Sequence, residues 1–222
     1  MAINQRKRQR QIAMKAAQAS ARAKAMRASA ARRAVANLDF HPSARTWPVH
    51  EALISDAIRT NRQGTVILSR KLGESVAVAL FLVDTGCMGI KSAFCRMMST
   101  AAYADFLARF RGSENLIQAR PECLRKLVEG ALAYAANLGF SPDPDYHSTK
   151  TLFGDLDSGA CPREFEFGEN GKPLYVSGPN DTPARIRSVM KTLSRKCGGP
   201  NGFHFVIASP SGFPGDFMDA EE

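Results

Sequence analysis

The longest apolar run in the chain is Ser75–Val83 (SVAVALFLV), and its valines and flanking glycines predict a central strand covered on both faces. Thr65–Ser69 (TVILS) precedes it as a β-branched strand, with Arg70–Glu74 (RKLGE) as the turn between them. Asp84-Thr85-Gly86 ends the run, and Met88–Phe94 continues as a third strand, completing an antiparallel meander. Upstream, Leu53, Ile54, Ala57 and Ile58 fall near helical spacing and predict a short helix over Val49–Arg59.

Helical periodicity then takes over. Thr100–Phe110 gathers Tyr103, Phe106, Leu107 and Phe110 on one face. Pro121–Leu138 carries the stripe Leu124, Leu127, Val128, Ala131, Leu132 and Ala135. It has Pro121 at the first helical position and Gly139 just past the end. Residues 140–147 (FSPDPDYH) read as a rigid loop and Ser148–Leu156 as a short helix. Asn170-Gly171 is a strong hairpin signal, since a type I′ turn needs positive φ at both positions; it predicts a hairpin of Glu164–Glu169 with Lys172–Ser177. Pro173 places the returning strand at an edge. Thr182-Pro183 opens a helix to about Lys196, and Phe203–Ala208 is a last strand.

The expected class is therefore α+β: an antiparallel sheet from two β-hairpin units packed with helices. The two units share too little residue identity to be a repeat. The expected organisation is a basic tail and hinge over 1–48, a single domain over 49–208 and a loose acidic tail over 209–222. No apolar run reaches the roughly 18 residues of a membrane span.

Charge changes this picture at one end. Arg6, Lys7, Arg8, Arg10, Lys15, Arg22, Lys24, Arg27, Arg32 and Arg33 precede the first acid, Asp39. The chain has 30 basic and 21 acidic residues, so residues 39–222 sum to −1 and the excess belongs to the tail. Few large apolar residues interrupt the alanines there, so the tail is expected to be disordered or helical and to contribute little core. Three uses compete for it: a solvated extension, a phosphate-binding arm for RNA or DNA, or a transit-type targeting segment. No apolar stretch of secretory type follows the basic start.

The five cysteines are odd in number and contain no CxxC pair, so reduced thiols in a cytoplasmic compartment are expected.

The segments TVILSRKLGESVAVALFLVDTGCMGIKSAF and FEFGENGKPLYVSGPNDTPARI resemble a group of bacterial proteins that pair a Lys/Arg/Ala-rich N-terminal extension with such a body. The resemblance spans roughly residues 60–207. The group has no established activity, so the resemblance implies an organisation and no functional residue. Gly86 stands in GCMGIK where the group has an aromatic.

Hard ligands are dense in one place. Asp143, Asp145, His147, Asp155 and Asp157, with Asp84 at a strand end, could hold Mg²⁺ or Mn²⁺ for phosphodiester chemistry if they converge. Ordinary turn and cap chemistry explains the same acids. The loop Ser177–Thr182, followed by Arg185 and Arg187, could receive an anion, although it lacks the GxxxxGK[ST] pattern. The expected function is association with nucleic acid, RNA or the ribosome ahead of DNA, with no cofactor. The alternatives are a metal-dependent nuclease or phosphohydrolase using Asp84, Asp143, Asp145 and His147, and a protein-interaction module with an incidental tail.

Overall fold

The structure is a computed structural model of the chain, and it describes residues 42–178 and 181–206. The ten tail cations and the C-terminal acidic segment lie outside the described residues. The α+β class and the antiparallel sheet are as expected.

Strand β1 spans Val49–Ser55, a short helix α1 Ala57–Asn61, β2 Gln63–Leu72, β3 Ser75–Asp84 and β4 Gly89–Ser99. Helix α2 spans Thr100–Arg111, β5 Leu116–Gln118 and α3 Pro121–Asn137. The strands form one antiparallel sheet in the order β4-β3-β2-β1-β5.

β3 is nearly all apolar because both of its faces are covered. Val76, Val78 and Leu80 join Leu53, Ile67, Tyr103 and Leu107 beneath α2. The alternate residues Ala77, Ala79, Phe81 and Val83 face the other way and are equally buried. There Phe81 stacks on Phe153 at 5.3 Å, and α3 lies against the strands. Ser99 caps α2 by accepting from the Ala102 N–H at 3.2 Å.

The helix expected over Val49–Arg59 is instead β1 followed by α1. Ala52–Ser55 are four consecutive buried residues between β2 and β5, a demand that a strand covered on both faces meets and a surface helix does not. The helix expected over Ser148–Leu156 begins earlier. Helix α4 is Tyr146–Thr149, continues as a 3₁₀ turn to Phe153 and stops at Gly154, whose φ is 58°.

The second hairpin is also corrected. Asn170 and Gly171 do adopt positive φ, 51° and 77°, and Glu169 and Lys172 close the turn. Beyond it, however, β6 (Leu174–Val176) pairs in parallel with β7 (His204–Val206). Pro173 has no N–H to give to a hairpin ladder, and the neighbouring donors go elsewhere. Gly168 N–H binds the Thr85 carbonyl at 2.7 Å and Leu174 N–H binds the Gly86 carbonyl at 3.0 Å.

Helix α5, Pro183–Lys196, lies between β6 and β7 in sequence. Thr182 caps it by accepting from the Arg185 N–H at 3.2 Å. Its Val189 and Leu193 enter a separate cluster with Cys87, Met88, Tyr175 and Phe203.

The expectation of reduced thiols fails at one pair: Cys123 in the first turn of α3 and Cys161 form a disulfide. The fold brings together two cysteines 38 positions apart, which no local spacing reveals. Cys87, Cys95 and Cys197 are free. Among the described residues no helix is long and apolar enough to cross a membrane.

Candidate nucleic-acid interface

Helix α5 reads PARIRSVMKTLSRK: five cations and no acid in 14 residues. The apolar positions fix its orientation. Val189 and Leu193 are buried, and Ile186 and Met190 pack beside them. That stripe turns Arg185, Arg187, Lys191, Arg195 and Lys196 outward, and all five are exposed. Arg187, Lys191 and Arg195 stand four residues apart, a row of cations about 6 Å from one to the next along the axis.

None of the five forms an ion pair among the described residues, although acids are abundant in the body. Outside α5, residues 39–222 hold 15 basic against 21 acidic residues. Cations elsewhere do find them: Arg62 with Glu166 at 2.9 Å, Arg125 with Glu129 at 2.7 Å, Lys126 with Glu164 at 2.6 Å. Helix stability accounts for part of the pattern only: Arg195 and Lys196 lie in the last turn, the negative end of the macrodipole, where cations are favoured. Arg185 lies in the first turn, the positive end, where acids are favoured, and Arg187 and Lys191 lie between the two ends, where the dipole acts little.

Among the described residues of the loop before α5, a donor that could have met an anion is already used. Asp181 folds back and accepts from the Gly178 N–H at 2.9 Å and the Tyr175 hydroxyl at 3.0 Å, so the chain's own carboxylate takes that donor. Burial pushes the Asp181 carboxyl up. The Gly178 N–H, the Tyr175 hydroxyl and the charges of Lys91 and Arg185 outweigh this and hold it below its ordinary value. Lys91 occupies the β-bulge of β4, which re-aims its side chain; its ammonium donates to Gln63 Oε1 at 3.0 Å. The Gln63 amide in turn donates to the Val176 carbonyl at 3.1 Å, tying the main sheet to β6 beside the start of α5.

The acids proposed for a metal are dispersed into local roles. Asp84 is buried at the end of β3, and its Oδ1 accepts from the Cys87 and Met88 N–H groups at 2.9 and 3.3 Å. Its Oδ2 has no hydrogen bond among the described residues. Burial raises its pKa, against the pull of those N–H groups and of Lys91. Burial, with Asp84 nearby, likewise pushes the Cys87 thiol far up, which removes thiolate chemistry there. Asp143 Oδ1 accepts from the Asp145 N–H at 2.9 Å, within the turn that starts α4. His147 is exposed, with its ring 5.6 Å from that of Tyr146. Asp155 lies 3.5 Å from Arg70, and Asp157 Oδ1 accepts from the Gly159 N–H at 2.8 Å. Among the described residues no three His, Cys, Asp or Glu side chains gather as a cation-holding group.

Reading the sequence for net charge hides the α5 row, because the acidic remainder of the body cancels it. The available signal is local: a 14-residue amphipathic segment with five cations and no acid. No protein-family model, curated protein or solved structure matches the chain.

Proposed function

We propose that the protein associates with nucleic acid, RNA or the ribosome ahead of DNA, through two basic elements: the tail over residues 1–38 and the outer face of α5. The observation that carries the reading is the acid-free cation row of α5, which forms no ion pair among the described residues. The apolar side of that helix is already buried in its own body, so the helix has no face left to insert into a lipid surface. What remains is an outward row of cations, suited to phosphates and the counterions they release. The preference for RNA rests on the Ala/Arg/Lys style of the tail. The reading places the protein in the cytoplasm, where reducing conditions would act on Cys123–Cys161.

The test is a salt series on duplex RNA with the full chain and with a chain lacking residues 1–38. If about six tail cations meet phosphates, log K falls against log[salt] with a slope near −5 from the tail alone. Truncation weakens binding sharply and flattens the slope, α5 retains a residual salt-dependent affinity, and the melting of the body is unchanged. Equal affinity of the two chains overturns the tail's part. Preference for an acidic protein over RNA of matched charge points instead to a protein partner.

A further inference from the structure

We infer that the cleft between the Pro42–Thr46 turn, helix α3 and residues 146–155 is a binding site for a small phosphate monoester of about nucleotide size. The cleft has a volume of about 530 Å³, within the range of small-ligand sites. Three separate segments bring cations to it: Arg45 from the turn, Arg125 from α3 and Lys150 from the end of α4.

Each acid of the cleft has a cation of its own nearby. Glu129 accepts from Arg125 at 2.7 Å, and Asp155, although its side chain is exposed, has its charge offset by Arg70 at 3.5 Å, buried behind the cleft. Arg125 also donates to the Leu156 carbonyl at 2.6 Å, so it is spent on holding the wall. Arg45 and Lys150 have no acidic partner among the described residues, and both are exposed. Lys150 Nζ stands 5.5 Å over the Tyr146 ring, which the cation attracts without neutralising it.

The cleft therefore offers two uncompensated positive charges. A phosphate monoester carries between −1.5 and −2 near neutral pH and matches them. A single carboxylate leaves one unpaired, and inorganic phosphate leaves most of the volume unfilled. The frame behind the charges is rigid. Arg70 donates to the carbonyls of Trp47, Leu152 and Phe153 at 2.6–2.8 Å, fastening the turn and the 150–153 segment to β2. Gly154 packs so tightly on the turn that a Cβ there would collide with the Arg45 carbonyl oxygen. The site is carried by elements other than α5, and the inference does not depend on nucleic-acid binding there.

The test is calorimetric titration of the full chain with adenosine 5′-monophosphate, adenosine and inorganic phosphate. Adenosine monophosphate should bind at least about tenfold more tightly than either of the other two. Arg45→Ala and Lys150→Ala should each weaken it about tenfold, the scale of one charged hydrogen bond. Both side chains are exposed, so the variants keep the fold. Arg187→Ala with Lys191→Ala should leave the affinity unchanged. The inference fails if no monophosphate binding is detected, if adenosine binds equally well, or if the Arg45→Ala/Lys150→Ala double variant binds like the parent.

Discussion

Helices α3 and α5 begin alike and end in opposite roles. Each opens on a proline at the first position and buries an apolar stripe. In α3 every charge is matched: Glu122 with Arg120, Arg125 with Glu129, Lys126 with Glu164. A disulfide from its first turn fastens it further. In α5 none of the five cations forms an ion pair among the described residues, within a body whose remainder has more acids than bases. The macrodipole opposes Arg185 in the first turn and favours Arg195 and Lys196 in the last, so it accounts for two of the five and leaves Arg185, Arg187 and Lys191 without a reason in the helix itself. Cations of the first kind hold the protein together; those of the second kind face outward.

Arg70 is the extreme of the first kind and should show the largest effect. It is buried, with burial lowering its pKa and Asp155 partly offsetting this. Arg70→Met would orphan the carbonyls of Trp47, Leu152 and Phe153. The expected loss is about 3–5 kcal/mol in denaturant melts. A loss below about 1 kcal/mol would mean that water replaces the guanidinium and that its hydrogen bonds do not fasten the wall.

Next in size is the anchor of α3. Cys123→Ser, or reduction, should cost about 2–4 kcal/mol, because the bridge closes a long loop in the unfolded chain. RNA affinity at a temperature where both forms are folded should not change. A shift in affinity without loss of stability would break the division between the two helices.

A smaller effect separates two acids near the base of α5. Asp181 has its folded pKa held below the unfolded value of about 3.9, so its contribution is present above that pH and lost as pH falls through the folded pKa. Asp181→Asn should lower stability at pH 7 and converge with the parent in acid. Asp84 has its folded pKa raised, so stability is fully present below the unfolded value of about 3.9 and is lost as pH rises through the folded pKa. Asp84→Asn keeps an acceptor for Cys87 and Met88, and should be stabilising at pH 7 and neutral below about pH 4. Melting curves across pH check both signs.

Much of this architecture was legible in sequence where the evidence is local. The β2–β3–β4 meander follows from one long apolar run and its breaks, α3 from its stripe and Pro121, and α5 from the Thr182 cap. What escaped depends on distance along the chain. β1 looked helical because a short apolar run fits either period until β2 and β5 flank it. β6 pairs with β7 across the whole of α5, and Cys123 meets Cys161 only in the folded state. Arg70 sits in what reads as an ordinary turn sequence, and Arg45 and Lys150 carry no motif at all. The dense aspartates around 143–157 have the density of ligands in sequence but serve turns, a cap and Arg70. The α5 row was visible, yet the near-neutral total for residues 39–222 concealed it.

The central claim is that the outward cations of α5 meet phosphates. The most direct measurement is the salt slope of duplex-RNA binding for the full chain carrying Arg187→Gln, Lys191→Gln and Arg195→Gln, beside a Lys126→Gln control on α3. Three lost phosphate contacts should make the slope shallower by about 2–3, while the control leaves it unchanged. Each α5 substitution is exposed and should move stability by no more than about 0.5 kcal/mol. A triple variant with the parent's slope and affinity would contradict the claim.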